Sequence, residues 1–146
     1  MENVELASTL RAFLRHGVHM SRRWSDEMEL STTHLGILNM LHEDGVRVSE
    51  IAKHMGIKMP SATEALKRLG GAGLATRAAD PDDSRVVLIH ITPKGEEART
   101  RGNRERDERI AEVLSSMSHD DLAALERASG AIARLSDKFQ DTISEN

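Results

Sequence analysis

The chain has no cysteine and no tyrosine, and only one tryptophan and two phenylalanines among its 146 residues. Without thiols these residues can form no disulfide, thiolate nucleophile, cysteine-ligated zinc site or thiol-based peroxide sensor. With aromatics at 2%, the core must be built from Leu, Ile, Val, Met and Ala, which suits packed helices. No run of about 18 apolar residues occurs, and no basic segment followed by an apolar block opens the chain. Neither a membrane span nor a leader is expected, and the sequence reads as soluble and cytoplasmic. Also missing are a Gly-x-Ser-x-Gly elbow, a phosphate loop ahead of a helix and a dinucleotide fingerprint, so neither enzymatic activity nor a cofactor is expected.

What is present is uneven in charge. The net formal charge is -4, yet residues 1–45 and 100–146 each carry -3 while residues 46–99 carry +2. Three acids of that middle stretch are bunched at Asp80, Asp82 and Asp83. The length fits one domain, able to bury about two thirds of its unfolded surface.

Leu6, Leu10, Phe13, Met20, Trp24 and Met28 fall on one stripe of a long helix that should end near Leu30. Ser31 or Thr32 can cap a second helix lined by Leu35, Leu38 and Leu41 and stopped at Glu43-Asp44-Gly45. Thr92-Pro93 offers a cap and a first-turn proline for a later helix, with Glu96 and Glu97 suited to its positive end. Ser118-His119-Asp120-Asp121 reads as a capping box before a second long stripe of Leu122, Leu125, Ile132, Leu135, Phe139 and Ile143. A small central module covers neither stripe well, so their pairing between two chains is expected, giving a homodimer. A monomeric bundle is the other arrangement.

The middle third reads as two short helices joined by a tight turn. Ile51, Ala52 and Met55 face inward on the first, and Gly56 makes the turn. Pro60 opens the second, which Ala62, Leu66 and Leu69 hold down. Ser61, Thr63, Glu64, Lys67 and Arg68 remain outside, small polar and basic groups of the kind a DNA major groove accepts. The cluster Gly70-Gly71-Ala72-Gly73 follows a helix and precedes a strand, so it is a helix stop and not a phosphate cradle. Leu74 to Arg77 and Val86 to Ile91 then form a β-hairpin with the tip Asp80-Pro81-Asp82-Asp83-Ser84-Arg85. Asp83 can brace Arg85 while that arginine projects into a minor groove of negative potential. Val87, Ile89 and Ile91 are expected to anchor the hairpin to the body.

These segments resemble the MarR family (multiple antibiotic resistance regulators) over essentially the whole chain. The tip from Asp80 to Arg85 through Leu88, with Ile91-Thr92-Pro93-Lys94-Gly95, follows the family's acidic-arginine wing and the Leu-Thr-x-x-Gly motif that starts its next helix, Ile91 replacing Leu. Ser49-Glu50-Ile51-Ala52 and Pro60-Ser61-Ala62-Thr63 match its helix-turn-helix. The resemblance implies a mainly α fold with a small β-hairpin wing (α+β). In it, a winged helix-turn-helix over 31–99 is flanked by dimerisation helices at 1–30 and 100–146, in a single domain. It implies a homodimeric repressor on palindromic double-stranded DNA, contacted by Lys58, Met59, Pro60, Ser61, Thr63, Glu64, Lys67, Arg68, Arg77, Asp83, Ser84 and Arg85. Arg85 takes the role of the wing arginine and Asp83 that of its partner. Lys58 replaces a usual capping Ser, Met59 a polar or basic residue and Glu64 a frequent Arg, departures that bear on the operator sequence and not on the DNA-binding class. Glu64 can accept from a cytosine amino group or hold Lys67 or Arg68.

The resemblance also implies a cleft for a small aromatic or phenolic ligand, with Arg11, Arg15, His16 and Trp24 as candidate lining residues, whose alternative role is a solvated or packed face. Seven histidines raise the alternative of a zinc-sensing regulator of the same fold, with His16, His19, His34 and His42 near the hinge. No His-Glu-x-x-His spacing supports it, so no metal site is expected. A helical protein-interaction module using the central hairpin is the alternative from a different class.

Overall fold

The computed structural model describes residues 1–145. Helices α1 (Asn3–Glu27) and α2 (Thr32–Met40) lead to a two-residue strand β1 (Val46–Arg47), then to α3 (Val48–Met55) and α4 (Met59–Gly71). Strands β2 (Ala75–Ala79) and β3 (Val87–Ile91) follow, then the long helices α5 (Pro93–Ser115) and α6 (His119–Glu145). This is the mainly α winged arrangement expected from the sequence.

The core lies where α2, α3, α4 and the sheet meet. Ile37 and Leu38 of α2, Ile51 of α3, Leu69 of α4 and Ile89 of β3 are all fully buried. Each contributes about 1.5–3 kcal/mol by leaving water. Helix α5 closes the core from outside through small residues: a Cβ added at Gly102 would sit 3.2 Å from Leu35 Cδ1, and one at Gly95 would sit 2.0 Å from the Leu74 carbonyl oxygen. Two arginines of α5 then donate to carbonyls at the end of α2 and in the loop before it. Arg99 Nη1 donates to the carbonyls of Leu38 and Leu41 at 3.4 and 3.3 Å, and Arg106 Nη2 to that of Leu30 at 2.9 Å.

The expected start signals act as caps. Ser31 Oγ accepts from the His34 amide at 3.0 Å, and Thr92 Oγ1 from the Gly95 amide at 3.0 Å. Ser118 Oγ accepts from the Asp121 amide at 3.1 Å, but its hydroxyl donates to Asp121 Oδ2 at 2.7 Å. Only half of the expected capping box forms, because the short aspartate binds the capping hydroxyl. The helix ends fall earlier than expected. α1 stops at Glu27, and α2 stops at Met40, where Leu41 is already extended at φ -72 and ψ 139 and turns inward to be buried.

The turn between α3 and α4 is closed by Gly56 at φ +63, a left-handed conformation that favours glycine. The Gly56 amide donates to the Lys53 carbonyl and that of Ile57 to the Ala52 carbonyl. The hairpin joins a three-stranded antiparallel sheet in the order β1-β3-β2. β1 was not expected, since two residues carry no readable alternation. It also explains a difference in the wing. β3 is the middle strand and both its faces are covered near the body, so Leu88 and Ile89 are buried in succession while Val87, nearer the tip, is 41% exposed. The loop at Gly45 lies over the second face, since a Cβ there would meet Leu88 Cβ at 2.9 Å.

The terminal helices differ from this core. Neither α1 nor α6 has a single buried residue, and Phe13, Ile132 and Phe139 are 70%, 52% and 48% exposed. α1 is tied to α2 by hydroxyls, with the Thr32 amide donating to Ser25 Oγ at 2.8 Å and Thr32 Oγ1 to the Ser21 carbonyl at 2.9 Å. The C-terminal end of α6 touches α3, where Lys53 Nζ donates to the Ser144 carbonyl at 3.2 Å.

Candidate nucleic-acid interface

Helix α4 is amphipathic around its whole length. Ala62, Ala65, Leu66 and Leu69 are buried, which leaves Lys58, Met59, Pro60, Ser61, Thr63, Glu64, Lys67 and Arg68 exposed together. The spacing of three and four between the buried residues produces this division. Lys58 occupies the N-cap with no side-chain cap bond, and Pro60 lies in the first turn. The positive end of α4 is thus open to an external acceptor, with the small Pro60 and Ser61 in its first turn.

On this face Arg68 Nε donates to Glu64 Oε1 at 3.3 Å, one turn away. Of the two partners considered for Glu64, the structure joins it to Arg68. His34 on α2 flanks Ser61, Glu64 and Arg68, and burial, followed by the nearby Arg68 charge, lowers its pKa below 6.5.

The wing tip is braced as expected. Arg85 Nε and Nη2 donate to Asp83 Oδ1 and Oδ2, both at 3.0 Å, and the Arg85 amide donates to Oδ1 at 3.1 Å. These bonds from Arg85, with a smaller contribution from the Arg47 charge, hold the Asp83 carboxyl below its ordinary range, and Asp83 raises Arg85 in turn. The Arg85 side chain remains 88% exposed, with Ser84 beside it at the tip. Arg77, on β2, pairs in register with Ile89, whose side chain faces the core, so it lies on the sheet face turned toward α4. Arg47 is an addition to the sequence reading. It lies on β1, too short a strand to be legible, and is exposed, its charge acting on the wing's carboxylate.

The four candidate ligand residues are not gathered in one chain. Arg11, Arg15 and His16 are exposed on α1 while Trp24 is half-buried. Nine residues separate Arg15 from Trp24, placing them about 180° apart around the helix. Among the described residues no three His, Asp or Glu side chains gather as a metal site would require. No helix among them is long and apolar enough to cross a membrane.

Comparison with known proteins places this geometry. The MarR family model matches residues 30–87, from two residues before α2 to the first residue of β3. The uncharacterised HTH-type transcriptional regulator YkoM of Bacillus subtilis is 30% identical over 126 residues, covering 82% of this chain and 81% of YkoM. YdgJ of the same organism, also described as an uncharacterised HTH-type transcriptional regulator, is 28% identical over 93 residues. That match covers 63% of this chain and only 57% of YdgJ. Among solved structures, Streptococcus pneumoniae FabT in complex with DNA superposes with a TM-score of 0.61 at 16% identity, covering 94% of this chain and 99% of FabT. Matching helix-turn-helix segment, braced wing and near full-length kinship with YkoM together mean that the chain belongs to the MarR family, a family of transcription regulators and not of enzymes.

Proposed function

We propose that this MarR-family chain is a homodimeric DNA-binding repressor that reads a palindromic operator through α4 and the wing. The observation that carries the reading is the exposed face of α4, small and polar at an uncapped N-terminus, standing beside a wing whose arginine is held outward by Asp83. In this reading Ser61, Thr63, Glu64 and Lys67 approach base edges or phosphates in the major groove, and Arg85 enters the flanking minor groove. FabT, which has this fold, was solved with DNA. The residues at 31–99 form the DNA-binding part, and 1–30 with 100–146 the dimerisation part, whose open apolar stripes the second copy covers. The protein acts in the cytoplasm.

Selecting duplexes from random-sequence DNA with the purified protein tests this. A palindromic consensus, with binding that weakens steeply as salt rises because counterions are released, is the expected result. Selection of no consensus together with salt-independent association would favour the protein-interaction module instead.

A small aromatic ligand is proposed as the effector, bound where the helices of the partner come alongside Arg11, Arg15, His16 and Trp24. Those four residues do not face one another within one chain, so this site requires the dimer. Thermal unfolding with benzoate or phenol checks it: a raised midpoint that disappears in Arg15→Ala supports the site, and an unchanged midpoint opposes it.

A further inference from the structure

The cations on the DNA-facing surface divide into two sets. Arg68 is paired with Glu64, and Arg85 is held by both oxygens of Asp83. Lys67 and Arg77 have no ion-pair partner among the described residues. They lie on opposite walls of one groove, Thr63, Lys67 and Gly70 from α4 on one side and Ala75 to Arg77 from β2 on the other. Leu66 and Ile89 lie beneath and are buried. Gly70 is helical with negative φ, so no turn requires a glycine there, and a Cβ added to it would meet only the Ala75 carbonyl oxygen at an ordinary 3.8 Å. The stop read from this glycine cluster acts at Gly73, at φ +75, while Gly70 is still helical and leaves that part of the groove wall without a side chain.

We infer that this groove is a seat for a DNA backbone phosphate, held between Lys67 and Arg77, and that Gly70 is kept small so that the phosphodiester can sink against the groove wall. The inference rests on the DNA-binding reading and deepens it by assigning affinity and base choice to different residues. Lys67 and Arg77 neutralise phosphate wherever the protein lands, while the paired Glu64–Arg68 and Ser61 of the first turn remain for base edges. The occupant is an anion of the DNA backbone because the groove carries two positive charges and no acid, and lies between a major-groove helix and a minor-groove wing.

The test uses the full-length protein and a duplex selected by the wild type. Lys67→Gln and Arg77→Gln should each lower the slope of log affinity against log salt by about 0.9 per phosphate contact, near 2 for a dimer. The selected consensus should not change. A methylphosphonate at one backbone position per half-site should weaken wild-type binding and leave the Lys67→Gln/Arg77→Gln double variant unaffected. Gly70→Ala should raise the unfolding midpoint by about 2–4 °C, while DNA affinity falls. Wild-type slopes in both glutamine variants, no silent phosphonate position, or a stabilised Gly70→Ala with unchanged affinity would overturn the seat while leaving DNA binding standing. Absence of salt-dependent binding in the wild type would instead defeat the functional reading itself.

Discussion

The winged middle of the chain and its two ends obey opposite packing rules. Between Leu30 and Ala98 the side chains of Leu35, Ile37, Leu38, Ile51, Leu66, Leu69 and Ile89 are driven to near-zero exposure, whereas α1 and α6 bury none. Leucine and isoleucine are thus used in two ways: closed within one chain, and left open along a stripe. The middle closes its apolar surface within one chain, and the ends leave theirs open.

The strongest way to break this comparison is to place charge on the open stripe. Leu135→Asp with Phe139→Asp should convert a dimer to monomer, read by light scattering at micromolar concentration, with the far-ultraviolet signal of the middle retained. A wild type already monomeric at that concentration would remove the contrast. Next in size is a deletion inside the closed region. Ile51→Ala should cost about 2–5 kcal/mol, seen as a lowered denaturant midpoint that does not depend on protein concentration. Replacing Thr63 on the open face of α4 should leave stability nearly unchanged and shift base preference by about 1–3 kcal/mol at a contacted pair, measured on single-base operator variants.

A smaller effect is expected at His34, at the junction of α2 with α4. Its lowered pKa, caused by burial and then by Arg68, means the folded state resists the proton that the unfolded chain accepts near 6.5. Its contribution is therefore fully present above pH 6.5 and lost as pH falls from there through the lower folded value. His34→Gln should flatten that acid limb of the stability profile. An identical limb in the variant would assign the loss to other groups. The smallest change is in stability of Arg85→Ala, whose ion pair is exposed and screened by water: its unfolding midpoint should match wild type even as its DNA binding weakens.

Much of this organisation was legible because it rests on local chemistry. Thr92 followed by Pro93, Ser31 before its helix and Gly56 between two helices act through hydrogen bonds and dihedral limits that neighbouring residues determine. The apolar stripes gave the long helices by periodicity. What escaped was set by tertiary contact. β1 is two residues long and exists because β3 offers it an edge. The burial of Leu88 depends on the loop at Gly45 folding over the sheet. Arg99 and Arg106 look like surface charges in sequence, yet they cap carbonyls of Leu38, Leu41 and Leu30 from a helix some sixty or more positions away. In the candidate interface the Asp83–Arg85 brace was readable from adjacency, whereas Arg47 and the pairing of Lys67 with Arg77 across a groove needed the fold.

The central claim is that the closed middle reads DNA while the open ends set the symmetry of reading. Hydroxyl-radical footprinting of the purified protein on a duplex it has selected tests both halves at once. The account predicts two protected half-sites related by a two-fold axis and about one helical turn, roughly 10 base pairs, apart, with flanking protection lost in Arg85→Ala. A single unsymmetrical footprint, or flanks protected equally with and without Arg85, would contradict it.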